Sequence, residues 1–168
     1  MNDGLHDAFG HNAWATRELL LMCQQLTDTQ THVAAPGTYG SIIATLWHTV
    51  SSEAGYCARL TGEEAAWDRR ADAAPSLEKL TGYVDDLSER WVRFLAHPFD
   101  AERIFSVKWH DGRDYNVPAG IVLAQVLHHG SEHRAQVCAA LTSIDVTAPD
   151  LGLWDFAEAT RRAKPHDS

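Results

Sequence analysis

His129 and His133 stand four residues apart in the string LAQVLHHGSEHRAQVCAAL. In a helix that spacing puts their side chains one turn apart on the same face, so both imidazoles can reach one ion. At about 100° per residue, that face also holds Val122, Val126, Val137 and Ala140. The rings therefore point into an apolar interior, where each needs a partner. A neighbouring hydrogen-bonding group would serve, and so would a metal, and the spacing alone leaves both readings open. His128 lies about 100° around the helix from His129 and falls outside the pair. A third histidine, His48, shares its helix face with Ser41, Ala44, Thr45, Ser52, Gly55, Tyr56 and Arg59, which are small or polar. The opposite face, with Ile42, Ile43, Leu46, Val50, Cys57 and Leu60, is an ordinary core stripe. The His48 face thus leaves room for a lined cavity. Neutral imidazoles suit divalent zinc, nickel, copper or iron, and three protein nitrogens leave a coordination position open, as in catalytic rather than structural sites.

Further polar residues fall around this set. Gln125 and Gln136 flank the histidine pair and read either as groups that orient a ligand or as polar residues at a bundle end. Glu53 and Arg134 lie on the apolar sides of their helices, where a buried ion pair between them would satisfy both. Tyr39 and Tyr56 are candidates to line the cavity. Trp14, Trp47, Trp91, Trp109 and Trp154 read as core or docking residues. Cys23, Cys57 and Cys138 recur on apolar stripes as inert thiols, and their odd count and wide spacing exclude a disulfide framework or a zinc ribbon. No serine-nucleophile, phosphate-loop or dinucleotide fingerprint competes.

The elements that must carry these residues follow from apolar periodicity. Leu5, Phe9, Ala15, Leu19, Met22, Cys23 and Leu26 predict a first helix over about 5–26. A polar stretch from Thr27 to Gly40 ends it. Ser41 is the expected N-cap of a second helix running to Leu60, with Gly62 as its stop. Leu77, Leu80, Val84, Leu87, Trp91 and Phe94 form a heptad stripe that predicts the third helix. Phe105, Val107 and Trp109 alternate with polar residues before Asp111-Gly112, which predicts a short hairpin closed by Tyr115 and Val117. Pro118 opens a fourth helix through Leu141, and Leu151 to Arg162 reads as a short fifth helix or docked tail. The expected fold is all-α: a left-handed, up-down-type four-helix bundle with a hairpin excursion between the third and fourth helices and a C-terminal helical tail.

The chain has 168 residues, 45% hydrophobic, enough for a single domain with a sizeable core spanning 1–168. Fourteen Lys and Arg against 23 Asp and Glu leave a charge of −9, which repels phosphate backbones and anionic membranes. Nucleic-acid and membrane partners are therefore not expected. The N-terminus lacks the pattern of a signal peptide, and a cytoplasmic location is expected.

The strings GSIIATLWHTVSSEAGYCARLTG, HHGSEHRAQVCAALTSIDVTAPDLGLWDF and FGHNAWATRELL together resemble the DinB-like metalloprotein superfamily. In that superfamily a histidine on the second helix and an H-x-x-x-H-R-x-Q element on the fourth bind one divalent metal. The resemblance implies His48, His129 and His133 as the ligands, with zinc or nickel the leading metals. It covers about half of the chain convincingly, and the third helix and hairpin match by position. One departure is Ala135, which stands between Arg134 and Gln136 where the family usually has glycine.

The resemblance implies a metal-dependent enzyme acting on a small molecule, either a transferase using a low-molecular-weight thiol as cosubstrate or a hydrolase. It also implies a homodimer paired through bundle helices. The alternative is a non-catalytic metal- or ligand-binding module in stress response. No carboxylate is placed to act as a general base beside the histidines, because Glu53 points elsewhere on its helix.

Overall fold

A computed structural model describes residues 3–109 and 111–164. Its elements are α1 (Asp3–Cys23), α2 (Asp28–Thr31), α3 (Ile42–Thr61), α4 (Leu77–Leu95), β1 (Ile104–Lys108), β2 (Asp114–Pro118), α5 (Ala119–Thr142) and α6 (Leu153–Ala159). The local signals act as expected. Ser41 accepts a hydrogen bond from the Ala44 amide at the start of α3, and Gly62 ends that helix at φ 80°, a left-handed conformation that glycine adopts without steric cost. Pro118 closes β2 and caps α5, where a missing N–H costs nothing. On α4 the heptad residues Leu80, Val84, Leu87 and Trp91 are buried. The short α2 falls in the segment expected to be irregular. Thr27 and Gln30 build a reciprocal capping box around it.

Four helices surround the core in the order α1, α4, α3, α5. On α1 and α4, Phe9 packs on Trp91 with centroids 4.7 Å apart, and Gln24 donates to Thr81 at 3.1 Å, so these helices are antiparallel. In contrast, α3 and α4 are parallel. Arg90 donates to the carbonyls of Glu63 and Glu64 just past the end of α3, while Leu77 and Ile43, at the two helix starts, line one cavity. Helices α3 and α5 run antiparallel, since Tyr39 pairs with Gln136 and Tyr56 with His129. The directions are thus up, down, down, up rather than a simple alternation. Parallel neighbours demand a connection that returns along the whole helix, about 30 Å for the 20 residues of α3. Residues 62–76 make that return along α3, with Trp47 Nε1 donating to the Ala71 carbonyl at 3.1 Å.

The hairpin forms as expected, with Ile104 opposite Pro118 and Lys108 opposite Asp114, and Gly112 takes φ 77° in its turn. Trp109 falls just beyond β1, stacks on Tyr115 and is 48% exposed. Trp154, at 84% exposure, is likewise no core residue, whereas Trp91 is. The tail docks on α1: Phe156 packs edge-on to His11, and His11 Nε2 lies 2.8 Å from the Leu151 carbonyl oxygen. Among the described residues no helix is long and apolar enough to cross a membrane.

Candidate metal centre

The antiparallel packing of α3 against α5 sets His48 opposite His129 and His133. One potential ligand nitrogen from each of the three lies within 4.8 Å of the others, a set that could hold a metal ion. Nε2 of His48 and Nε2 of His129 are 3.1 Å apart. Two nitrogens on one tetrahedral zinc ion sit about 3.3 Å apart, given Zn–N bonds near 2.0–2.1 Å. His133 is buried and the other two are half-buried.

Gln136 fixes the third ring. Its Oε1 accepts the backbone N–H of Tyr39 at 2.9 Å and also lies 3.0 Å from Nδ1 of His133. A backbone amide is always a donor, so the glutamine atom it meets is the acceptor, and Nδ1 of His133 must carry the proton. The lone pair of His133 is then on Nε2. An outer partner that selects the tautomer in this way is characteristic of metal-bound histidine.

Electrostatics favour neutral rings. Burial, then the neighbouring His133, His48 and His128, lower the His129 pKa from 6.5 to about 4. Burial and His133 lower His48 as well. Neutral imidazole is the donor that nitrogen-preferring divalent ions take. Among the described residues no carboxylate joins the cluster. Tyr39 stacks on His48 at 3.9 Å, and Tyr56 meets His129 edge-on at 5.8 Å, so both tyrosines do line the centre. His48 opens onto a groove of about 1000 Å³ between α3 and the 62–76 segment, lined also by Trp47, Ser51, Arg69 and Ser76.

The remaining expectations divide. Gln136 touches the centre, whereas Gln125 is exposed and makes no hydrogen bond to the histidines among the described residues. His128 points outward, 3.7 Å from Glu132. Glu53 and Arg134 are buried but do not form the direct ion pair expected of them, because Asn12 of α1 stands between. Asn12 Nδ2 donates to Glu53 Oε2 at 3.0 Å, and Arg134 NH1 donates to Asn12 Oδ1 at 2.7 Å. Trp91 Nε1 donates to the other Glu53 oxygen at 2.9 Å, and Thr16 accepts from Arg134 at 3.1 Å. The sequence reading missed Asn12, whose signal was an amide on the apolar side of the first helix. It also missed Gly130, where a Cβ would meet Asn12 Oδ1 at 2.5 Å and Arg134 NH1 at 2.9 Å. Ala135, by contrast, is exposed, so the departure from the expected glycine crowds nothing. The thiols are silent: burial pushes Cys23 and Cys57 up to about 12 and raises Cys138.

The sequence profile of the DinB family matches residues 1–165. The chain belongs to the DinB family. It is 23% identical to Protein DinB of Bacillus subtilis (strain 168) over 172 residues, covering 97% of this chain and all of that protein. The crystal structure of a DinB-like protein from Bacillus cereus ATCC 10987 is similar with a TM-score of 0.67 at 20% identity, over 89% of this chain and 96% of the other. That likeness establishes the DinB-like helical fold.

Proposed function

We propose that His48, His129 and His133 bind one divalent metal ion, zinc or nickel, and that the protein is a metal-dependent enzyme transferring a low-molecular-weight thiol to a small molecule. The observation that carries this reading is Gln136 Oε1, held by the Tyr39 amide, which forces the proton onto Nδ1 of His133 and frees Nε2. The three histidines would hold such an ion, which would supply Lewis acidity and lower the pKa of a water or thiol brought to it.

The chain's own residues argue for a nucleophile brought from outside. The three cysteines stay protonated at neutral pH, and among the described residues no carboxylate lies at the cluster to take a proton from water. A thiol needs no such base, because its proton is acidic enough to pass to solvent. In the transfer, sulfur bonds to an electrophilic carbon, the leaving group departs with its electron pair, and the thiol proton goes to solvent. Gln136 keeps His133 in its tautomer throughout, while Tyr39 and Tyr56 hold the His48 and His129 rings in place by ring contact.

Native mass spectrometry of wild type and His129→Ala tests the ligand set: one equivalent of metal is expected for wild type and none for the variant. A full equivalent in the variant overturns it. Cysteine with 1-chloro-2,4-dinitrobenzene, and p-nitrophenyl acetate without thiol, then test the reaction in metal-loaded and chelator-treated protein of matched circular dichroism. Thiol-dependent turnover by the loaded form alone is expected. Ester cleavage without thiol would make the protein a hydrolase, and equal rates from both forms would dismiss metal catalysis.

A further inference from the structure

A second cavity, of about 480 Å³, lies on the other side of the histidine centre, between the β1–β2 hairpin, the end of α3 and the start of α5. Val107, Trp109, Val117, Ile121 and Val122 give it apolar walls, while Arg59, Lys108 and Gln125 supply its polar groups. Among the described residues no carboxylate lines it, although the chain as a whole carries −9. Ile121 and Trp109, at 59% and 48% exposure, turn large apolar surfaces toward this space instead of burying them in the core. The cavity is large enough for a small ligand.

Its two cations differ. Lys108 is already engaged, with Nζ 3.3 Å from the Gly112 carbonyl oxygen and 3.6 Å from Asp114. Arg59 is half-buried in the last turn of α3, and its guanidinium makes no hydrogen bond or ion pair among the described residues. A guanidinium is a fork of donors suited to a carboxylate, and one left unpaired on an apolar wall is a group waiting for an anion. The cavity also borders the metal centre through Tyr56. Tyr56 lines it and packs edge-on to His129, and Gln125 stands one helical turn before His129 on α5. The groove on the far side is reached through His48.

We propose that this cavity binds the acceptor substrate, an apolar small molecule bearing one carboxylate that pairs with Arg59, while the thiol enters from the polar groove past His48. The proposal rests on the thiol-transfer reading for the acceptor role, but the cavity itself is tested without metal or turnover. Isothermal titration of apo protein with 4-phenylbutyrate and with neutral 4-phenylbutan-1-ol separates charge from apolar fit. The carboxylate should bind at least tenfold more tightly. Arg59→Gln should erase that preference while leaving the alcohol's affinity unchanged, and Ile121→Trp, at an exposed position, should block both probes. Equal affinities in wild type, a preference retained in Arg59→Gln, or undiminished binding to Ile121→Trp each overturn the proposal. So does a preference that emerges only after zinc is added, because the carboxylate would then be on the metal. If Arg59→Gln loses its helical circular dichroism, Ile121→Trp decides. Failure of the metal reading shows separately, as missing metal in native mass spectrometry of wild type with no probe present.

Discussion

Helices α3 and α5 each contribute to two polar centres, and those centres handle their lone pairs in opposite ways. His48 and Glu53 are five residues apart on α3, and His133 and Arg134 are adjacent on α5. The turn of the helix sends one member of each couple toward the α3–α5 seam and the other across the core toward α1 and α4. On the core side Glu53, Asn12, Arg134, Thr16 and Trp91 close a network in which each group answers another. At the seam the histidine nitrogens face one another, and burial and neighbouring imidazoles lower the proton affinity of His48 and His129. A satisfied buried network fixes the register of four helices, whereas three histidine nitrogens within 4.8 Å of one another could hold an ion. A structural network and a candidate metal centre are thus divided between two sides of the same helices.

The sharpest way to break this division is Arg134→Met. It strips Asn12 and Thr16 of their charged donor and leaves the Glu53 carboxylate without the nearby positive charge, so a loss of about 3–5 kcal/mol is expected. Urea denaturation of apo protein measures it. His129→Ala in the same apo background should cost less than about 1 kcal/mol, since a half-buried ring is removed from a repulsive cluster. Equal losses from the two variants would show that both centres are structural.

Next in size is Gln136→Leu, which removes the acceptor that selects the His133 tautomer. Metal affinity should fall by roughly 10–100-fold, the usual loss for an outer partner of a ligand histidine. Apo stability should stay within about 0.5 kcal/mol of wild type, because the side chain sits at the edge of the centre. Competition with a chromophoric chelator gives the affinity. An unchanged value would remove the main support for His133 as a ligand.

The pH dependence of apo stability sets the two centres against each other. Folding holds the His129 pKa near 4 against an ordinary 6.5, so below pH 6.5 the unfolded chain binds a proton that the folded chain refuses. Stability should therefore fall as pH drops from about 6.5 toward 4, by on the order of 1–2 kcal/mol after allowance for solvent screening. Glu53 works in the other direction, since burial raises its pKa and the folded state then holds the proton longer as pH rises. Urea midpoints at pH 7, 6 and 5 should decline for wild type and flatten for His129→Ala. A wild-type midpoint that rises on acidification would mean that the carboxylate outweighs the histidines.

What could be read in the sequence depended on how local the cause was. Ser41 and Gly62 bound α3 by contacts within one turn, and the α4 stripe states its own burial, so both were legible. The four residues of α2 are too few for any apolar period, and the Thr27–Gln30 capping box was the one signal they offered. The parallel pairing of α3 and α4 depends on which faces meet across the core, which a list of amphipathic helices does not contain. Within the centre, the positions of the three histidines were expected from spacing, face and resemblance together. The role of Asn12 was hidden because a mid-helix asparagine has the same look whether it meets solvent or bridges two charges 41 and 122 residues away.

Gly130 and Ala135 give the finest test, since the resemblance placed glycine at the second position and the geometry requires it at the first. A methyl group at 130 would collide with Asn12 and Arg134, while the methyl already present at 135 faces outward. Ala135→Gly should therefore change no packing at the centre. Its effect is backbone entropy alone, about 0.8–1.0 kcal/mol of lost stability for glycine in a helix interior. Metal affinity should be unchanged. If Ala135→Gly instead tightened metal binding, the alanine would be distorting α5 near His133, and the clean separation of network from centre along that helix would fail. Titration of apo Ala135→Gly with zinc, beside its urea midpoint, reads both quantities on one protein.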